Sequence, residues 1–481
     1  MDMTKLDVLV IGGGPGGTPA AMALAAEGRR VRLVEKGTGL GGTCLFEGCI
    51  PSKILHESAR RLLAIRSAAE FGLRVPAGEI GIDWNAIMER KATILNRRAE
   101  GALQRARRIP SLSVQFGNVT LLGPHLARII PHDGKPEDVE FSNAIIATGS
   151  VPNLLPITGG DLPQVITSEQ LLEIEHLPKH LVVIGAGPIG VEMAQIFAAF
   201  GTAVTLLEAG PRILAPVDEE SAIALQTHVR RQGIVLELGA QVLRISGDGN
   251  GVRVEYRDAA GAQHTASAEY VLAATGRSPN VGSLGLEHTA VHFDRHGVKV
   301  DGKLETDEPG IYAAGDVVGQ PMFAHWATAQ ALALAGHLLG RPTRFPEPAT
   351  NSAVIFSIPE LGIAGLTESE ARRGRHTVGV ARYDYHTDAR AQVSGHADGL
   401  LKVIYDTTTR AVLGIHVLVE GAASLIGEGA LAIRSGIPVE VLATAIHSHP
   451  TLNESMGAVA REIVASSRAA IRGARTHRAT G

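Results

Sequence analysis

The chain contains the same pattern twice. Residues 8–37 read VLVIGGGPGGTPAAMALAAEGRRVRLVEKG, and residues 181–210 read LVVIGAGPIGVEMAQIFAAFGTAVTLLEAG. The two align without a gap at an offset of 173. Each copy runs from an apolar strand through a glycine-rich turn into an alanine-rich helix, then a second strand ending at a glutamate. The glycines are Gly12, Gly14 and Gly17 in the first copy, and Gly185, Gly187 and Gly190 in the second. In such a turn the first glycine permits the tight bend, the second lets a pyrophosphate approach the backbone, and the third lets helix and strand pack closely. The helix N-terminus then offers unpaired N–H groups and a positive dipole end to the phosphates. Glu35 and Glu208 each lie 23 residues after their first glycine, where a carboxylate accepts hydrogen bonds from ribose hydroxyls. One glycine-rich turn occurs in many ordinary loops. Two, with the same strand context and acid spacing, predict two dinucleotide sites and a hydride relay between two cofactors.

A length of 481 residues suggests roughly three domains at ~150 residues each. The reading is an α/β fold with two Rossmann-like dinucleotide-binding domains and a C-terminal α+β domain. The first nucleotide domain spans 1–150 and resumes over 277–345, with the second inserted at 151–276. Pro342, Pro346 and Pro348 mark the boundary to the last domain, 346–470. Strands are expected near 352–358, 377–385, 400–405 and 411–419, and helices near 421–436 and 452–468. The segment 471–481 reads as a disordered tail. Helical stretches are expected over 40–70 and 84–108, the second ending in Arg97, Arg98, Arg105, Arg107 and Arg108 as a solvated basic face. No apolar run reaches the ~18 residues of a membrane span. The N-terminus enters an apolar strand without a signal-peptide pattern, so a cytoplasmic location is expected. A net charge of -4 predicts no attraction to nucleic acid or anionic membrane.

Only two cysteines occur, Cys44 and Cys49. A disulfide scaffold would have many, and a zinc site would need more ligands nearby, so no metal is expected. The pair instead suits redox chemistry. In a regular helix residues five apart are separated by ~7.5 Å along the axis. A disulfide needs Cα atoms within about 7 Å. The segment must therefore be distorted, and Gly48 gives it that freedom. A helix beginning there would favour a thiolate.

The run Gly41-Gly42-Thr43-Cys44-Leu45-Phe46-Glu47-Gly48-Cys49-Ile50-Pro51-Ser52-Lys53 resembles the redox-active signature of the pyridine nucleotide–disulfide oxidoreductases, in its dihydrolipoamide dehydrogenase form. The resemblance covers nearly the whole chain. It implies FAD at the first glycine motif and NAD at the second. It makes Cys44 the thiol that exchanges with substrate and Cys49 the flavin-side thiolate, with Lys53 contacting FAD. Gly117, the turn Thr148-Gly149-Ser150, Asp316 in AAGD and the pair Ala324-His325 fall at further FAD positions. Gly276 sits where the family's NAD site ends. Glu192 matches a residue near the flavin–nicotinamide contact, or else serves as a capping or salt-bridge residue.

The run His447-Ser448-His449-Pro450-Thr451-Leu452-Asn453-Glu454 resembles the family's catalytic stretch. The resemblance makes His449 the base that takes the dithiol proton and Glu454 the group that orients it, while His447 reads as structural. Only a thiolate attacks a disulfide, so such a base is needed near neutral pH. The implied reaction is oxidation of a protein-bound dihydrolipoyl group by NAD, in a homodimer. The partners would be lipoyl domains or the E2 core of a 2-oxo acid dehydrogenase complex, or a glycine cleavage system. The alternative is a related reductase of another small disulfide. Glu208 disfavours NADPH, because a carboxylate repels a 2′-phosphate. Two departures stand out. Phe46-Glu47 lies between the cysteines, where Glu47 either raises the thiol pKa or points to water, and Trp326 replaces the more typical lysine after His325.

Overall fold

The computed structural model describes residues 5–75, 80–249, 251–374 and 376–479, the last twelve as backbone only. Both copies of the repeat form the same strand–turn–helix–strand unit. In the first, Lys5–Ile11 leads into the helix Thr18–Ala26 and returns as Val31–Glu35. In the second, His180–Ile184, Pro188–Ala199 and Ala203–Glu208 do the same. The strands carry almost uninterrupted apolar residues because parallel sheets are covered on both faces.

The first sheet places Lys5–Ile11 between Val31–Glu35 and Glu137–Ile146, all parallel. Leu112–Gly123 extends it on one side, and Ile311–Ala313 returns from much later in the chain to extend it on the other. Leu126–Pro131 runs antiparallel between the projecting ends of Leu112–Gly123 and Glu137–Ile146. The second sheet is parallel in the order Val235–Leu238, Ala203–Glu208, His180–Ile184, Tyr270–Ala273, Val165–Ile166. A three-stranded antiparallel sheet of Gln241–Asp248, Gly251–Arg257 and Gln263–Ala268 flanks it.

The third unit is antiparallel throughout, in the order Ser352–Ile355, Leu361–Gly365, Val412–Leu418, Leu400–Asp406, Val378–Asp384. Helices Ala422–Ser435, Val439–Thr444 and Glu454–Ala479 complete it. The last helix corrects the expectation of a disordered tail. Its backbone remains helical to Ala479, because 468–479 is rich in alanine and arginine, both strong helix formers. Thr480 and Gly481 lie outside the described residues.

One apolar core joins all three units. Leu55, Leu62 and Trp84 from the first unit pack with Phe197 and Phe200 from the second and Ile355, Leu361 and Leu418 from the third. The Trp84 ring meets Phe200 edge-on at 5.7 Å, and its indole N–H donates to the Ile174 carbonyl at 3.0 Å. This core seats the helix Cys49–Arg66 against the helix Pro188–Ala199.

Candidate active site

The glycines of both motifs occupy equivalent environments. At Gly12, φ is +110°, and a Cβ would lie 2.3 Å from the Ala147 carbonyl oxygen. At Gly185, φ is +102°, and the distance to the Ala274 oxygen would be 2.5 Å. A Cβ on Gly17 or Gly190 would lie 1.9 Å from the carbonyl of the first glycine in its own motif. The middle glycines differ. A Cβ on Gly14 would meet nothing closer than 3.8 Å, and one on Gly187 nothing within 4 Å. The first and third glycines are thus closed by protein, while the second faces open space at a helix N-terminus. That is the opening a pyrophosphate needs.

The two glutamates also match. Glu35 accepts from the Gly13 and Gly37 amides, each at 2.6 Å. Glu208 accepts from the Ala186 and Gly210 amides, each at 2.7 Å. Each carboxylate thus ties its glycine turn to the loop that follows the second strand, and keeps lone pairs available for a ribose. The amide partners were not anticipated from the sequence, although the common spacing of 23 residues carried the signal.

Between the cysteines the helix breaks. Gly42–Phe46 ends before Glu47, and a new helix, Cys49–Arg66, starts at Cys49, with Gly48 non-helical at φ -146° and ψ -100°. The expected distortion is therefore present, and it places Cys49 at a helix N-terminus. Both cysteines are half-buried thiols. Hydrogen bonding from Cys44 lowers the Cys49 pKa to about 7, with the Lys53 charge assisting and burial opposing. Cys44 moves the other way, since it donates the bond and is itself desolvated. Of the two thiols, Cys49 is the one whose ionisation is favoured. Glu47 is exposed and accepts from the Thr43 hydroxyl at 3.3 Å.

Lys53, one turn into the same helix, pairs with Glu192 at 2.7 Å. Its ammonium stands 4.5 Å over the Phe356 ring. The other Glu192 oxygen accepts from the Phe356 amide at 2.9 Å. Three units thus meet at one ion pair. Lys53 and Glu192 were both singled out from the sequence, but their pairing across 139 residues and the role of Phe356 were not.

Asp316 follows the strand Ile311–Ala313 and accepts from the Ser150 hydroxyl at 2.7 Å. Arg277 donates to the same hydroxyl at 2.8 Å. Burial pushes the Asp316 carboxyl up, against the Ser150 bond and the Arg277 charge. Thr148 donates to the Asn280 carbonyl at 2.6 Å, and Gly149 accepts from the Asn280 amide at 2.9 Å, tying this turn to the chain just past Gly276. Gly117 closes against a strand neighbour: a Cβ there would lie 2.3 Å from the Ile130 oxygen. Ala324 opens the helix Ala324–Leu338, and His325 bonds the Ser352 carbonyl at 2.5 Å and stacks on Phe323. Trp326 is buried.

His449 and Glu454 form the expected pair, with Nδ1 at 3.0 and 3.1 Å from the two carboxylate oxygens. The Thr451 amide and then His449 hold Glu454 below the usual carboxylate range. His447 pairs instead with Glu428 at 2.8 Å. Among the described residues, no hydrogen bond or ion pair joins His449 to either cysteine. The His449 side chain is 74% exposed, in a run from Thr444 to Pro450 where only His447 is partly covered. No group of side chains suited to a metal ion occurs among the described residues, and none of their helices is long and apolar enough to cross a membrane.

Residues 6–331 match the pyridine nucleotide-disulphide oxidoreductase family, and residues 351–460 match its dimerisation domain. Dihydrolipoyl dehydrogenase of Chlorobaculum tepidum is 33% identical over 455 residues, covering 94% of this chain and 96% of its own. Dihydrolipoyl dehydrogenase 3 of Pseudomonas aeruginosa is 34% identical, covering 96% and 98%. Among solved structures, the Cu(II) complex of the HOCl-induced flavoprotein disulfide reductase RclA from Escherichia coli superimposes with a TM-score of 0.85. It is 29% identical and covers 96% of this chain and 100% of its own. The duplicated cradles, the cysteine pair flanking a helix break and these matches lead to one conclusion: the chain is an enzyme of the pyridine nucleotide-disulphide oxidoreductase family, whose members use FAD and a pyridine nucleotide.

Proposed function

We propose that the enzyme oxidises a protein-bound dihydrolipoyl group with NAD, at an active site shared between two copies of the chain. The observation that carries this reading is the thiol pair itself. The two cysteines flank a break between two helices, with Cys49 at a helix N-terminus one turn before Lys53, where its pKa is lowered to about 7 while that of Cys44 is raised. In the oxidised enzyme a substrate thiolate attacks the sulfur of Cys44, and the Cys44–Cys49 bond breaks to release Cys49 as thiolate. The second substrate thiolate then displaces Cys44, closing the lipoyl disulfide and leaving the enzyme dithiol. His449, oriented by Glu454, takes the protons that the substrate thiols give up. FAD, when bound, would supply the two-electron redox chemistry that links the enzyme dithiol to NAD. The Gly12 motif, Glu35, Lys53 and Asp316 would hold that flavin, and the Gly185 motif, Glu208 and Gly276 the nicotinamide nucleotide.

The matches to dihydrolipoyl dehydrogenases over nearly the full chain support this substrate and the carriers implied by it, lipoyl domains of a 2-oxo acid dehydrogenase complex or of a glycine cleavage system. The second reading is a reductase of another disulfide, supported by the likeness to RclA. Steady-state assays separate them. Free dihydrolipoamide should be oxidised with NAD at least about tenfold better, in kcat/KM, than with NADP. Glu208→Ala should narrow that preference by weakening use of NAD. Turnover of small disulfides with a reduced nucleotide, and none of dihydrolipoamide, would favour the second reading.

A further inference from the structure

The helix Trp84–Arg107 carries charge that the chemistry above does not use. Arg90, Arg97, Arg98, Arg105 and Arg108 are all exposed, and among the described residues none of their side chains has an ion-pair or hydrogen-bond partner. At about 100° per residue, these five fall within an arc of about 100°. The two glutamates of the helix, Glu89 and Glu100, fall outside that arc. The stripe therefore presents uncompensated positive charge on a chain whose net charge is -4.

Its position links it to the thiols. Leu95 packs with Leu45 and Ile54, and Ile94 and Ala99 border the same small core with Phe46 and Ile50. The helix is thus seated directly on the cysteine segment. Arg98 is near enough to Cys44 for its charge to favour the thiolate there. From Arg90 to Arg108 the stripe runs about 27 Å at ~1.5 Å per residue. A small anionic disulfide covers a fraction of that length, whereas a folded domain matches it.

The geometry points to a docking surface for an acidic carrier domain, which lays a negatively charged face along Arg90, Arg97, Arg105 and Arg108 and delivers its dithiol arm to Cys44. This rests on the reading of the enzyme as a dihydrolipoyl dehydrogenase and names the kind of partner it serves. Electrostatic complementarity of this sort acts mainly on association, so it shows in kcat/KM and in salt dependence.

The test uses the FAD-loaded dimer and two substrates: free dihydrolipoamide, which is uncharged, and a separately expressed acidic lipoyl domain reduced before use. Raising salt from about 0.1 to about 1 M shortens the screening length from about 10 Å to about 3 Å. With wild type, kcat/KM for the lipoyl domain should fall steeply over that range, while that for dihydrolipoamide stays nearly constant. The triple variant Arg97→Gln, Arg105→Gln, Arg108→Gln should lose about tenfold in kcat/KM for the domain at low salt and flatten its salt slope. It should keep wild-type kinetics with dihydrolipoamide, which also shows that it folds and binds FAD. Equal loss on both substrates, or no loss on either, overturns the docking surface. So does retention of lipoyl-domain kinetics by a variant that has lost binding to a short DNA duplex, which would make the stripe a nucleic-acid surface. Failure of wild type to oxidise either substrate overturns the functional reading instead.

Discussion

At the scale of single residues, the thiol pair is the most sharply tuned feature of the molecule. A folded-state pKa of about 7 for Cys49 means that the thiolate prevails above about pH 7 and is lost as the pH falls through that value. In the two-electron-reduced flavoprotein, the long-wavelength charge-transfer band between that thiolate and the flavin should titrate with a midpoint near 7. Lys53→Met removes a favourable charge and should raise the midpoint, by about one unit. A midpoint that stays put would show that Lys53 acts only through its bond to Glu192. Glu47→Gln should leave the curve where it is, because Glu47 is exposed and turned to Thr43. Of the two possibilities open for Glu47 in the sequence, the structure thus favours the solvent-facing one. Residue types and local spacing were legible in the sequence: Cys44, Cys49 and Gly48 lie within a few positions, so local geometry alone implied a broken helix. The Lys53–Glu192 pair was not legible, because only packing of two helices 139 residues apart in sequence creates it.

At the scale of elements, the repeat made both nucleotide-binding units readable, since apolar strands and glycine turns are written in short-range pattern. The attachments between units were hidden, because they join charges of ordinary sequence context. Lys402 is the main case. Its strand, Leu400–Asp406, belongs to the third unit, yet its ammonium reaches both Asp218 oxygens at 3.0 Å and Glu220 at 3.2 Å in the second. It also meets Glu368 at 2.7 Å within its own unit. Lys402 and Asp218 are almost fully buried. Burial opposes the ionised form of Asp218, and the neighbouring His416 and Lys402 outweigh it, so its carboxyl titrates below the ordinary range. The stabilisation from Asp218 is therefore complete at neutral pH and is lost as acid carries the solution through that depressed value. Lys402→Met would strand buried carboxylates and should cost on the order of 3–5 kcal/mol. Calorimetry of the FAD-loaded dimer checks this. An unchanged melting temperature would mean that water or a shifted side chain replaces the ammonium.

At the scale of the whole molecule, no hydrogen bond or ion pair among the described residues joins the two halves of the proposed site within one chain. Cys44 and His449 are 405 residues apart, and the His449 loop stands exposed with Ile446 entirely bare at its edge. The family's dimerisation domain, matched over 351–460, contains this loop. A two-fold contact that brings His449 of one copy to the cysteines of the other would be reciprocal. Chains bearing Cys44→Ser and chains bearing His449→Ala should each form nearly inactive homodimers. Mixed at random, about half the dimers are hybrids, and roughly a quarter of all sites regain both intact residues. Hybrid dimers shown to be present without regained turnover would place each site within a single chain. No pattern in the sequence indicates which copy supplies a side chain, so such an arrangement is not legible from the residues alone.

The buried Lys402 cluster has a mechanical consequence. An enzyme that moves electrons between distant partners needs reach, and reach comes either from a swivelling body or from a flexible visitor. Here the body is bolted. Lys402 ties the second unit to the third, and the Trp84 core ties both to the first, so a swivel would have to expose buried charge and a continuous apolar seam. The enzyme is then a fixed socket, and the travelling belongs to whatever plugs into it.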